Sequence, residues 1–170
     1  DISKLALVVD GGETGQESIY NGLKAIEEEY GVENNTVIVH DGNRPLVSTE
    51  IISDALATYK HYGSSVAAIP CVEVVFYSED GIVAGDSVPR EKLFRTQTPH
   101  VYSLEKLLWA HNEAEQRKIF NTGASCDLMY QLGEKVFFSR GSEENFKITT
   151  VDDLTMFKSM LKTRKDEWIK

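Results

Sequence analysis

Cysteine, basic charge and long apolar runs are all scarce in this chain, and each shortage closes off a class of protein. The two cysteines, Cys71 and Cys126, stand far apart with no CxxC or Cys/His spacing. Neither a zinc site nor a disulfide framework is indicated, and both read as reduced thiols in the core or near a site. Lysine and arginine number 18 against 27 aspartates and glutamates, a formal net charge of -9. There is thus no basic stripe to follow nucleic acid and no polybasic anchor for an anionic membrane. A few placed cations still suffice for a phosphorylated small molecule. No apolar run approaches the roughly 18 residues needed to span a bilayer, and no signal peptide is visible. The expectation is a soluble, cytoplasmic protein with no nucleic-acid and no membrane partner. Repeats and low-complexity tracts are also missing. The chain opens Asp1-Ile-Ser-Lys without an initiator methionine, as a cleaved product or a part of a longer protein does.

What is present is enough for one domain: 170 residues with 41% hydrophobic content can bury a core. The sequence turns abruptly from backbone to chemistry between residues 36 and 47. Val37, Ile38 and Val39 form a β-branched run that reads as a strand buried on both faces of a parallel sheet. His40, Asp41, Gly42, Asn43, Arg44 and Pro45 follow at once, and ligands bind at the carboxyl ends of strands in open α/β sheets. A carboxylate and a guanidinium on that rim can serve a metal and a phosphate together. A solvated Asp-Gly turn with a surface ion pair fits the same residues.

The rest alternates strand and helix. Leu5–Val9 reads as another buried strand, ending in a glycine-bearing turn, Asp10–Ser18, before a helix with Ile19, Leu23 and Ile26 on its inner face. Ser48 reads as an N-cap, and the helix it starts runs to Gly63. Ser65–Ile69 is a strand stopped by Pro70. Val72–Tyr77, the turn Ser78–Gly81 and Ile82–Ala84 form a β-hairpin, a projecting arm within residues 72–90 suited to subunit contact. A strand-like piece from Leu93 closes at Pro99. Leu104, Leu107, Leu108, His111 and Ala114 carry an amphipathic helix, with His111, His61 and His100 read as surface or satisfied core histidines and not ligands. Thr122 stands near the cap of a helix through Leu128 and Met129, Lys135–Phe138 is a strand, and a last helix begins at Asp152 and Asp153 with Leu154, Phe157, Met160 and Leu161 inside. The fold class expected is α/β, a Rossmann-like three-layer α/β/α arrangement with a mostly parallel sheet.

Four stretches in order, GGETGQESIYNGL, VHDGNRPLVS, LFRTQTPH and GSEENFKITTVDDL, with a hairpin between the second and third, resemble the 2-C-methyl-D-erythritol 4-phosphate cytidylyltransferases and the related ribitol-5-phosphate cytidylyltransferases. The likeness runs from about Leu7 to Leu161. It implies CMP transfer from CTP to a polyol phosphate with release of pyrophosphate, Mg²⁺ as cofactor, and a homodimer joined through the arm. By the same resemblance, Gly12, Glu13 and Ser18 lie against cytosine and ribose, Asp41 binds the metal, and Arg44 sits beside the substrate phosphate. Arg90, from the neighbouring subunit, and Thr98 reach the polyol phosphate, and Lys147 stands near the transferring phosphate. On the residues alone, the favoured readings are a strand-edge charge for Lys147 and a hairpin surface charge for Arg90.

The chain departs from the family at three places. The glycine-rich loop that cradles the triphosphate lies upstream of Asp1, so residues 1–170 are expected to be one nucleotidyltransferase domain lacking the N-terminal part of its fold. Val74 stands where the erythritol enzymes have threonine, and Thr122-Gly123 replaces an acidic pair. Both changes remove hydrogen-bonding groups of the kind that set selectivity. The ending NFKITTVDDLTMFKSM leans toward the ribitol branch. The competing expectation is a non-catalytic remnant that keeps the arm and acts as a dimerising binding module.

Overall fold

Short polar residues write the helix starts into the chain. In the computed structural model, which describes residues 3–166, Thr14 accepts from the Glu17 N–H to open α1 (Gly15–Tyr30). Ser48 accepts from Ile51 to open α2 (Thr49–Tyr62), and Ser103 from Lys106 to open α3 (Leu104–Arg117). Each oxygen satisfies one of the N–H groups that a helix start leaves unpaired. Gly63 ends α2 in the left-handed region, at φ 80°, where glycine meets no Cβ penalty. α4 (Ser125–Gln131) starts from Ala124 with no side-chain cap, and Thr122 stands two residues before it, near the helix start as expected. α5 (Val151–Asp166) opens on reciprocal bonds, Asp153 N–H to Thr150 Oγ1 and Thr150 N–H to Asp153 Oδ2, a capping box with aspartate in the glutamate position.

The strands are β1 (Thr36–Val39), β2 (Ser65–Pro70), β3 (Val75–Phe76), β4 (Ser87–Val88), β5 (Phe94–Ser103) and β6 (Phe138–Arg140). Four of them form the central sheet in the order β1-β5-β2-β6. β1, β2 and β6 share one direction, but β5 lies between β1 and β2 antiparallel to both, so two of the three pairings are antiparallel and the mostly parallel sheet expected from the sequence is met only in part. α2 packs against β2, β5 and β6. The larger core joins Val37, Val66 and Tyr102 of the sheet to Leu23 of α1, Leu104, Leu107 and Leu108 of α3, and Leu128 and Met129 of α4. Alternation along the strands turns Ala67 and Val101, both fully buried, to the opposite face. Helices therefore cover the sheet on both sides, which is the expected three-layer architecture.

β5 does not stop at Pro99, because a bulge takes the proline in. Val66 pairs with His100 and Ala68 with Thr96, so Gln97, Thr98 and Pro99 face Ala67 alone. Pro99 has no N–H to give the ladder, and a bulge is where an inner strand tolerates that. Beyond it, His100 to Ser103 pair with β1. The Thr98–Pro99 peptide is cis.

Several sequence expectations are corrected. Leu5–Val9 is neither a strand nor buried: no strand pairs with it among the described residues, and Val8 is 83% exposed. β1 is buried on one face only, with Val37 in the core and Ile38 exposed. The arm is a hairpin of different register. β3 pairs with β4, Val75 opposite Val88, and Ile82 and Val83, expected in the second strand, lie in the loop, where Asp80 Oδ1 accepts from both their N–H groups. β6 begins at Phe138, not Lys135, since that is where pairing with Val66 starts. On α5, Leu154 and Leu161 are exposed and only Phe157 and Met160 are half-buried, so its apolar side does not serve this core. The first two and last four residues of the expected 1–170 domain lie outside the described residues.

These placements set stability. Leu107→Ala, at a fully buried position, is expected to cost about 2–5 kcal/mol in urea unfolding, while Leu161→Ala on the exposed side of α5 costs less than about 0.5 kcal/mol.

Candidate functional site

Asp41 lies two residues beyond the end of β1, and its place is fixed by the bulge across from it. The Asp41 N–H donates to Thr98 Oγ1 at 3.0 Å, and that oxygen is 3.0 Å from His40 Nδ1. His40 Nε2 in turn lies 3.1 Å from the Arg44 carbonyl. All groups are satisfied when the Thr98 hydroxyl donates to Nδ1 and Nε2–H donates to Arg44 O. His40 thus ties the strand end to the loop that follows it.

A third segment closes on this pair. Asn145, with no exposed surface, donates from Nδ2 to the Thr98 carbonyl at 2.8 Å and to Gln97 Oε1 at 3.3 Å. Gln97 holds Ser142 through both ends of its amide. Gly141 fits against the sheet only because it lacks a Cβ, which would stand 2.7 Å from Gln97 Oε1 and 2.9 Å from the Ala68 carbonyl. Asn43 and Ile148 exchange two further bonds, each 2.9 Å. Residues 141–148 are therefore fastened over the β5 bulge, and Lys147 is brought to Asp41.

The charges meet on one oxygen. Asp41 Oδ2 accepts from Arg44 Nε at 3.0 Å and lies 3.4 Å from Lys147 Nζ. Arg44 also donates from Nη1 to the Asn145 carbonyl at 2.7 Å. Partial burial by itself raises the Asp41 pKa, but the Arg44 hydrogen bond and the Lys147 and Arg44 charges outweigh it and hold the carboxyl below its ordinary value. The cluster is ionised at neutral pH, with one positive charge in excess.

Asp41, Arg44, Thr98 and Lys147 line part of a cavity of about 290 Å³. The rest of the lining is neutral: Ile19, Val39 and Leu128 are apolar, His111 and Ser125 are polar, and His100, opposite Val39 in the sheet, stands within electrostatic reach of Asp41 and Arg44. Gln16 joins two parts of the rim, since its amide donates to the Ile119 carbonyl at 3.0 Å and accepts from the Thr122 N–H at 2.9 Å. Burial pushes the pKa of both His100 and His111 down to about 4, so both rings are neutral at pH 7. The Gln97 carbonyl is near enough to favour the charged form of His100, yet neither His100 nitrogen has a partner in hydrogen-bond geometry.

The other residues singled out from sequence stand apart from the cavity. Gly12 and Glu13 belong to the exposed turn leading into α1 and Ser18 is half-buried in its first turn; Gly12 N–H donates to Ser18 Oγ and Glu13 N–H to Glu17 Oε2. A side chain at Gly12 would collide with Glu17. Gly15 and Gln16 from the same segment do reach the cavity. Arg90 sits on a short 3₁₀ turn after β4, exposed and off the cavity wall. Asn145, Gln97 and His40 are not legible in the sequence as positioning residues, because each acts on backbone 45 or more residues away or through a loop carbonyl. His100 and His111, expected as surface or satisfied core histidines, are both buried, but His100 and the Nε2 of His111 are without partners.

Comparison with known proteins bears on this geometry. A family model described as IspD, 2-C-methyl-D-erythritol 4-phosphate cytidylyltransferase, matches residues 2–163. A ribitol-5-phosphate cytidylyltransferase from Vibrio parahaemolyticus is 37% identical over 98% of this chain and 69% of its own length. A 2-C-methyl-D-erythritol 4-phosphate cytidylyltransferase from Pelotomaculum thermopropionicum is 38% identical over 96% of this chain and 66% of its own. The crystal structure of the 2-C-methyl-D-erythritol 4-phosphate cytidylyltransferase from Thermus thermophilus superimposes with a TM-score of 0.79 at 30% identity, covering 92% of this chain and 74% of that one. The chain thus spans roughly two thirds of the length of such relatives.

Two stability measurements check the site's construction. Asn145→Ala should cost about 1–3 kcal/mol in chemical denaturation by stranding the Thr98 carbonyl. The neutral histidines make the fold acid-sensitive. Their folded pKa lies below the unfolded value, so between pH 6.5 and about 4 the unfolded chain binds more protons. Stability then falls as pH falls across that window, by about 3 kcal/mol per histidine, and His111→Phe should make the urea midpoint visibly less dependent on pH.

Proposed function

The chain belongs to the 2-C-methyl-D-erythritol 4-phosphate cytidylyltransferase family, and on that footing we propose that it transfers CMP from CTP to a polyol phosphate with release of pyrophosphate. The observation that carries this reading is the convergence of Asp41, Arg44, Thr98 and Lys147 on one cavity at the carboxyl end of β1. Ligand pockets run from roughly 300 Å³ upward, so a cavity of about 290 Å³ suits the small polyol phosphate. The nucleotide then lies across the open turn of Gly12, Glu13 and Ser18, where backbone can approach a flat base closely.

In the reaction, an oxygen of the polyol phosphate attacks the α-phosphorus of CTP, a new P–O bond forms, and the bond to the bridging oxygen of pyrophosphate breaks. The attacking oxygen is already anionic, so no general base is needed. Two polyanions must instead be brought together, and catalysis is positioning and charge neutralisation. Arg44, anchored by Nε and Nη1, presents its remaining donors to the acceptor phosphate as a planar fork. Lys147 supplies a point charge to the α-phosphate as it becomes five-coordinate. Thr98 hydrogen-bonds the acceptor phosphate beside Arg44.

Mg²⁺ fits this donor set. Among the described residues no group of three or more His, Cys, Asp or Glu side chains could cage a metal, but Mg²⁺ is commonly held by one or two carboxylates plus substrate phosphates, and Asp41 puts a half-buried carboxylate on the cavity wall. Bound there, the ion would neutralise triphosphate charge. Arg90 completes the acceptor site from a second subunit, with the arm of β3 and β4 as the dimer contact; its exposed Val72, Val74, Phe76 and Tyr77 give apolar area for that contact. The NFKITT ending and the Vibrio relative's name favour ribitol 5-phosphate as acceptor. The reading as a binding module alone finds no support in the relatives, which carry transferase names.

The test is pyrophosphate release from CTP and Mg²⁺ with ribitol 5-phosphate and with 2-C-methyl-D-erythritol 4-phosphate in turn. Turnover of at least one is expected, and turnover of neither by folded protein overturns the proposal. Asp41→Asn should lower the rate by about 100-fold or more with an unchanged unfolding curve, and Lys147→Ala should depress kcat more than CTP affinity, as fits a charge used mainly in the transition state.

A further inference from the structure

The cavity lining joins two chemically different sets of side chains, and only the charged one suits a phosphate. In the neutral set, Ser125 is 3% exposed, His100 2% and His111 5%. Ser125 Oγ, both ring nitrogens of His100 and Nε2 of His111 have no hydrogen-bond partner, and all three residues line the cavity. Buried polar groups are almost always paired, and an unpaired one is costly. Several in one cavity lining point to a ligand that pairs them.

The kind of ligand follows from what these groups offer. A neutral imidazole carries one N–H donor and one acceptor nitrogen, and a serine hydroxyl is likewise both. A phosphate accepts only. An alcohol gives and takes one hydrogen bond at each oxygen, so a run of hydroxyls matches a wall of imidazole and hydroxyl groups. The Arg44 and Lys147 side chains take the anion, and a polyhydroxylated carbon chain attached to it extends along the neutral lining.

We propose that His111 and Ser125, with His100, form a hydroxyl-binding subsite that grips the carbon chain of the polyol phosphate and sets the preference for a linear polyol. The proposal deepens the transfer reading and rests on it for the identity of the acceptor. The His111 ring is held in a fixed plane, stacked on Tyr20 with centroids 5.0 Å apart and planes 6° from parallel, and the Tyr20 hydroxyl donates to Asn112 Oδ1 at 2.8 Å. Ile19, Val39 and Leu128 lie where the carbon faces of the chain can pack.

Calorimetric titration separates the two ends of the ligand. Ribitol 5-phosphate and glycerol 3-phosphate share the phosphate and differ in chain length and hydroxyl number, so wild-type protein should bind the former about tenfold or more tightly, because a site built to pair hydroxyls rejects an analogue lacking them. In Ser125→Ala, in His111→Phe, which keeps a ring against Tyr20, and in the double variant, that preference should shrink to about threefold or less, while glycerol 3-phosphate and CTP bind as before. If His111→Phe does not fold, Ser125→Ala carries the comparison. Equal binding of the two phosphates by wild type, or a preference that survives in the variants, overturns the subsite. Loss of CTP binding in parallel would assign these residues to the fold and overturn it too. A tenfold preference lost in the variants, without pyrophosphate release from CTP, would refute the transfer reading and leave the subsite standing.

Discussion

The site depends on one buried amide. Asn145 has no contact with solvent, and its Nδ2 reaches the carbonyl of Thr98 inside the β5 bulge, while its own backbone carbonyl receives Arg44. Three stretches distant in sequence, 41–45, 97–99 and 141–148, meet at this residue. Without it the bulge has no partner for its freed carbonyl and the loop carrying Lys147 has no fixed height above the sheet. Asn145 Oδ1 is itself buried without a partner, and the network imposes one arrangement because moving the amide would strand the Thr98 carbonyl as well in a low-dielectric interior.

Electrostatics are built on that frame. Two cations share a single carboxylate oxygen, so a chain with a formal charge of -9 still presents a local positive excess at one strand end. Such a site attracts phosphate only where the cations are placed, and the acidic remainder repels polyanions elsewhere. The neutral histidine lining is the complement: burial removes the charge that would otherwise compete for phosphate, and leaves groups suited to hydroxyls.

Other parts of the molecule carry apolar surface that this core does not use. Leu5, Val8, the arm residues Phe76 and Ile82, and Leu154 and Leu161 of α5 are all exposed. Each lies in a stretch whose local pattern reads as buried or paired. The pattern is correct about hydrophobicity and silent about whether a neighbour exists among the described residues. For Leu5–Val9 a strand needs a strand beside it, and none pairs with it among the described residues. For the arm, the register is set by the loop: Asp80 and Ser78 tie Ile82, Val83 and Gly81 into a turn, which moves the pairing out to Ser87 and Val88.

Periodicity and capping residues determined what is local. Thr14, Ser48 and Ser103 satisfy helix N–H groups within three residues of themselves, and the β-branched and small apolar runs Val37–Val39 and Ser65–Ile69 mark strands, so the alternation of strand and helix was legible from the chain. The resemblance of four motifs placed Asp41, Arg44, Thr98 and Lys147 in one site. Only tertiary structure decided how they meet. The reversed direction of β5, the bulge that admits Pro99, the Asn145 bond that sets Lys147 over Asp41, and the unpaired His100, His111 and Ser125 all arise from contacts between residues far apart in the chain, and hydrogen-bond partners at that separation leave no mark on the local sequence.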